Sequence, residues 1–97
     1  MPAYVVLYQF TDQGIKNIKE LPQGIERAHK AIEDMGGNVV ACYGLMGQYD
    51  AIGIYEVPSD EVAMTFLLGM GASGNVRTTT LKAFPYEQFS ELVNRLP

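Results

Sequence analysis

A chain of 97 residues, 47% apolar and 19% charged, has the length and composition of one globular domain (residues 1–97), neither disordered nor membrane-embedded. A net charge of −4 leaves no basic footprint for nucleic acid, and no apolar run approaches a membrane span. The single cysteine, Cys42, excludes an intrachain disulfide; with no secretory pattern at the N-terminus, a cytoplasmic location is expected.

Tyr4 through Phe10 reads as a first strand, rich in β-branched and aromatic residues. Thr11-Asp12-Gln13-Gly14 ends it, with Asp12 placed to cap a short turn carrying Ile15 and Ile18. Pro22 suits the first turn of a longer helix. In that helix Leu21, Ile25, Ala28, Ile32 and Met35 form one apolar stripe, while Glu26, Arg27, Lys30, Glu33 and Asp34 face water. Gly36-Gly37 stops it.

Two apolar runs, Val39 through Met46 and Ala51 through Val57, flank Gly47-Gln48-Tyr49-Asp50 and predict a β-hairpin turned at Gly47 and Gln48. This register pairs Met46 with Tyr49 and Leu45 with Asp50. It puts Val39, Ala41, Tyr43, Leu45, Asp50, Ile52 and Ile54 on one face. Val40, Cys42, Gly44, Met46, Tyr49, Ala51, Gly53 and Tyr55 fall on the other. Ser59 caps the next helix, whose stripe is Ala63, Phe66, Leu67 and Met70; Gly69, Gly71 and Gly74 close it. A last strand, Asn75 through Phe84, precedes a short helix with Phe89, Leu92, Val93 and Leu96 on one edge.

Strand, helix, strand, strand, helix, strand is the α+β, ferredoxin-like βαββαβ order: a four-stranded antiparallel sheet with two helices on one face, here with a C-terminal helix added. Two helices roof one face only, yet both faces are apolar. A second copy laid sheet against sheet covers the other, so a homodimer is expected.

Several stretches resemble the GYD-domain family: Gly47-Gln48-Tyr49-Asp50 with Ala51-Ile52, Glu56-Val57-Pro58-Ser59-Asp60-Glu61, the early Phe10-Thr11-Asp12-Gln13-Gly14, and Gly74 through Phe84. The resemblance covers nearly the whole chain. It implies a ferredoxin-like dimeric α/β-barrel and no particular reaction. The hairpin is also similar to one in the ligand domains of leucine-responsive (feast/famine) regulators, although no DNA-binding helix-turn-helix precedes it in this chain. Pro22-Gln23-Gly24 departs from the family pattern, in which an Arg often follows Leu21; Arg27 lies nearby.

Among residues able to carry chemistry, Asp50 is the first candidate. Its carboxylate either accepts backbone N–H groups and pins the hairpin, pairs with Arg77, or faces a ligand. Tyr43, Tyr49 and Tyr55, with Tyr4 and Tyr8, line a cleft or fill a dimer seam. His29 sits at the border of its helix's buried stripe, and Arg77 is either an anion contact or an exposed strand charge. The candidate ligand-binding set is therefore Asp50, Tyr49, Tyr43, His29 and Arg77. Cys42 has no basic neighbour in sequence and reads as an inert thiol. One His and one Cys support no metal site, and Gly69, Gly71 and Gly74 follow a helix instead of opening one, so no cofactor is expected. Three functions fit: an oligomeric small-molecule-binding or regulatory module, a cofactor-free enzyme acting on a small organic compound, or a structural assembly unit.

Overall fold

Alternating aromatic and β-branched residues carry β1 (Ala3–Phe10) through the middle of the sheet, with Tyr4, Val6 and Tyr8 buried on the same side. The computed structural model describes residues 1–97. After β1 come α1 (Asp12–Lys16), a 3-10 turn (Ile18–Glu20), α2 (Leu21–Asp34), β2 (Asn38–Gly44), β3 (Ala51–Glu56), α3 (Asp60–Ala72), β4 (Val76–Ala83) and α4 (Tyr86–Asn94). The strand order β2-β3-β1-β4, antiparallel throughout, is the ferredoxin-like arrangement expected from the sequence. No helix is long and apolar enough to cross a membrane.

The helix-side core joins Tyr4, Val6 and Tyr8 of β1 to Ile32 of α2, Tyr55 of β3, and Ala63 and Phe66 of α3. Ser59 caps α3 as expected, its hydroxyl accepting from the Val62 amide at 3.2 Å. At the start of α1 the cap is Thr11, not Asp12: the Gly14 amide donates to the Thr11 hydroxyl at 3.0 Å. Thr11 also donates to the Gly74 carbonyl at 2.6 Å, and its amide bonds the Asn75 carbonyl at 3.0 Å. The early Thr11–Gly14 stretch and the late Gly74-Asn75 stretch thus meet in space. Gly14 fits there only without a side chain, since a Cβ would lie 2.0 Å from the Asn75 carbonyl oxygen.

The hairpin differs from expectation in two ways. Its strands keep the predicted register from Gly44↔Ala51 to Ala41↔Ile54, but the connection is longer, with the Leu45 amide closing onto the Asp50 carbonyl at 2.9 Å and Met46–Tyr49 looping out. A bulge between Val39 and Ala41 then pairs Val39 with Tyr55. Val39 therefore joins the helix side and packs against the core, instead of sharing the face of Ala41 and Tyr43.

By register the helix-free face presents Ala41, Tyr43, Ile52, Ile54, Val5, Leu7 and Leu81. Tyr43 is 64% exposed and Leu81 54%. The C-terminal helix adds to this unburied surface. Phe84, Tyr86, Phe89, Leu92, Val93 and Leu96 are all exposed, on a chain that extends 53 Å along its long axis against 31 and 18 Å across.

Candidate functional site

The stripe of α2 does not fill the space beneath it. Ile32 is buried, but Leu21, Ile25 and Ala28 stand over a cavity of about 460 Å³ between α2, α3 and the sheet. Small residues make the room: Gly24, Ala28 and Ala31 on α2, Gly69 on α3 and Ser73 just past its end, Ala51 and Cys42 on the strands. Phe10, Ile25, Met35, Phe66, Met70 and Val76 give the walls an apolar lining. The volume lies within the range of small-molecule sites.

Tyr8 and Tyr55 form the floor. Both are buried, and their hydroxyls share one hydrogen bond of 2.7 Å. Tyr55 is wedged between the two helices, edge-on to His29 of α2 (ring centres 6.3 Å apart) and to Phe66 of α3 (5.5 Å). Its ring lies along the strand over Gly53, where a Cβ would come 2.1 Å from the Tyr55 oxygen. Burial, together with the facing hydroxyl, raises the pKa of Tyr8; burial raises that of Tyr55. Both phenols therefore stay protonated. Cys42 is exposed at one wall, and loss of solvent around its sulfur pushes the thiol pKa up.

Asp50 works from outside the cavity. Its carboxylate accepts the Phe10 amide at 2.8 Å, and its own amide donates to the Tyr8 carbonyl at 2.8 Å. It ties the hairpin to the end of β1, the pinning role, with a charge-assisted bond that holds two cavity residues in place. It makes no pair with Arg77, whose β1 partner is Gln9 and which lies on the helix-free face with Tyr43. Tyr49 is half-buried in the hairpin loop. Of the five candidates, only His29 lines the cavity. Nowhere do three His, Cys, Asp or Glu side chains gather as a metal site would require.

Of the five tyrosines expected to line a cleft or fill a dimer seam, Tyr8 and Tyr55 line the cavity, whereas Tyr4, Tyr43 and Tyr49 do not; the pairing of the two hydroxyls was not foreseen. The available signal was their shared face with Val6 once β1 and β3 are aligned, together with a glycine two residues before Tyr55. A third tyrosine anchors the far end of the same face: Tyr4 donates to Asp60, which also pairs with Lys82 at 2.9 Å. Burial and Asp60 push the Tyr4 phenol up to about 12; the bonds from Tyr4 and Lys82 hold the Asp60 carboxyl below its ordinary value.

Residues 4–93 match the GYD domain. The chain belongs to the GYD domain family. The glutamine synthetase and cystathionine beta-lyase binding protein of Thermus thermophilus is 32% identical to this GYD protein over 97 residues, spanning 99% of each chain. Among solved structures, MtbAldR superposes with a TM-score of 0.68 at 18% identity, over 87% of this chain and 52% of that one. The feast or famine regulatory protein of M. tuberculosis, complexed with L-methionine, gives 0.56 at 19% identity over 88% and 51%. The GYD protein thus spans about half the length of these two chains, and the likeness is one of fold.

Proposed function

We propose that this GYD protein is an oligomeric binding and regulatory module of the cytoplasm. The cavity under α2 and α3 takes a small organic molecule, and the assembly acts by binding partner enzymes. The cavity carries this reading: about 460 Å³ of apolar-walled space in a chain of 97 residues costs packing energy unless something occupies it. The name of the Thermus relative supports enzyme partners, since that protein is a binding protein for two metabolic enzymes. Tyrosines held protonated support binding over acid–base catalysis, because neither supplies a base near neutral pH.

The assembly is a homodimer formed through the helix-free face. Tyr43, Ile52, Ile54 and Leu81 present a self-complementary apolar layer across a two-fold axis. The exposed aromatic edge of α4 is continuous with the same need for cover. Six exposed apolar side chains on and beside that helix would add to the buried surface if the partner reaches them.

Native mass spectrometry of gently purified protein tests both parts. The expected spectrum shows a dimer or a multiple of it, with a retained small molecule removed by denaturation. A bare monomer at micromolar concentration defeats the assembly. Pull-down of the two enzymes named for the Thermus relative tests the partner half, and no retention of either defeats it.

A further inference from the structure

We propose that the cavity selects a neutral, apolar-bodied molecule bearing a carbonyl-type hydrogen-bond acceptor, and discriminates against a carboxylate on the same skeleton. This rests on the reading of the cavity as a small-molecule site. Two tyrosine hydroxyls carry two O–H groups between them, and their mutual bond at 2.7 Å uses one. Neither hydroxyl bonds anything else in the protein, so one O–H is left over, on a buried pair at the cavity floor. A buried donor without an acceptor is costly, and a ligand carbonyl seated on the pair removes that cost.

The charge pattern decides what kind of acceptor fits. Arg27 and Glu20, one of each sign, are both exposed in the lining, so together they add no net formal charge to it. Along the floor the neighbours are Phe66, Ala51, Cys42 and His29, whose ring stands edge-on to that of Tyr55. A carboxylate brought to the floor would lose its hydration without gaining a fixed cation, whereas a carbonyl loses little. Phe10, Ile25, Met35, Met70 and Val76 favour an apolar body, and the methionines adapt to its outline.

The test compares three probes of one skeleton on the full chain at pH 7: benzophenone, diphenylmethane and diphenylacetate, with dissociation constants from ligand-observed NMR. Benzophenone is expected to bind about five- to tenfold tighter than either of the others, the size of one buried hydrogen bond. In the double variant Tyr8→Phe/Tyr55→Phe the rings stay and both hydroxyls go, and the advantage over diphenylmethane should fall to within about twofold. Diphenylacetate binding as tightly as benzophenone overturns the proposal, as does a carbonyl preference that survives the double variant. If that variant does not fold, the ranking on the wild-type chain decides alone. Failure of all three probes while native mass spectrometry still finds a retained molecule sinks this inference and leaves the binding module standing; failure of both sinks both.

Discussion

The two ends of the space between helices and sheet are built from the same elements and packed in opposite ways. At one end Tyr4, Val6, Ile32, Val57, Ala63 and Phe66 close around a gap of about 10 Å³. At the other, beyond Tyr55, the same two helices stand over about 460 Å³. The residues explain the contrast. The filled end has branched and aromatic side chains facing one another, while the open end has Gly24, Ala28, Ala31, Gly69 and Ala51 at positions where larger groups would meet. Tyr55 is the partition, held by His29, Phe66 and Tyr8. Stability is thus concentrated in one half of the domain and unfilled space in the other.

Truncation on either side of Tyr55 should show this most strongly. Ile32→Ala empties a fully packed position and should cost about 2–5 kcal/mol in urea unfolding. Ile25→Ala, two turns earlier on the same stripe, should cost at most about 1 kcal/mol, because it opens no new cavity where one already exists. Equal losses at the two sites would mean that the open end collapses in solution. Next in size is Gly53→Ala. Its methyl collides with the Tyr55 ring and should cost about 1–3 kcal/mol while shifting the ring resonances of both Tyr55 and Tyr8. Unmoved tyrosine spectra would place the ring elsewhere.

Much of the filled end was legible in the sequence. Ile32, Ala63 and Phe66 follow helical spacing, and strand alternation groups Tyr4 with Val6. The open end was not, because helical spacing reports which side of α2 faces inward and says nothing of how far it stands from the sheet. Leu21 and Ile25 carry the same pattern as Ile32 but lack partners large enough to reach them. The hairpin shows a second limit. Its register could be read from Gly47-Gln48-Tyr49-Asp50, but strict alternation does not foresee the bulge that turns Val39 toward the core. Asp50 was recognisable as a residue needing a partner; that the partner is the Phe10 amide became clear only with β1 beside β3.

The partition also carries the chain's alkaline sensitivity. The folded-state pKa values of Tyr4, Tyr8 and Tyr55 are all raised, so the folded state holds those protons longer than the unfolded chain does. Their contribution is complete below the ordinary tyrosine value of 10.0 and is lost as pH rises past it, for Tyr4 between 10.0 and about 12. Asp60, whose pKa is lowered, acts at the other extreme: its contribution is present above the ordinary carboxyl value of 3.8 and fades on acidification. Tyr8→Phe should cost about 1 kcal/mol at pH 7 by breaking the hydroxyl pair. It should also flatten the fall in urea midpoint between pH 9 and pH 11 relative to wild type. An unchanged slope would mean that Tyr8 ionises no later than a free tyrosine.

The smallest expected effect separates stability from binding at the open end. Gly24 lies in the first turns of α2, where glycine weakens a helix by up to about 1 kcal/mol relative to alanine. A Cβ there would meet nothing nearer than the Arg27 guanidinium at 3.9 Å. Gly24→Ala should therefore stabilise the chain by about 0.5–1 kcal/mol while narrowing the cavity wall by one methyl group. If retention of the bound molecule in native mass spectra falls as the melting temperature rises, glycine at this position serves the cavity at the expense of the fold. A destabilised Gly24→Ala chain would instead mean that α2 sits closer to its neighbours than the open space around Gly24 implies.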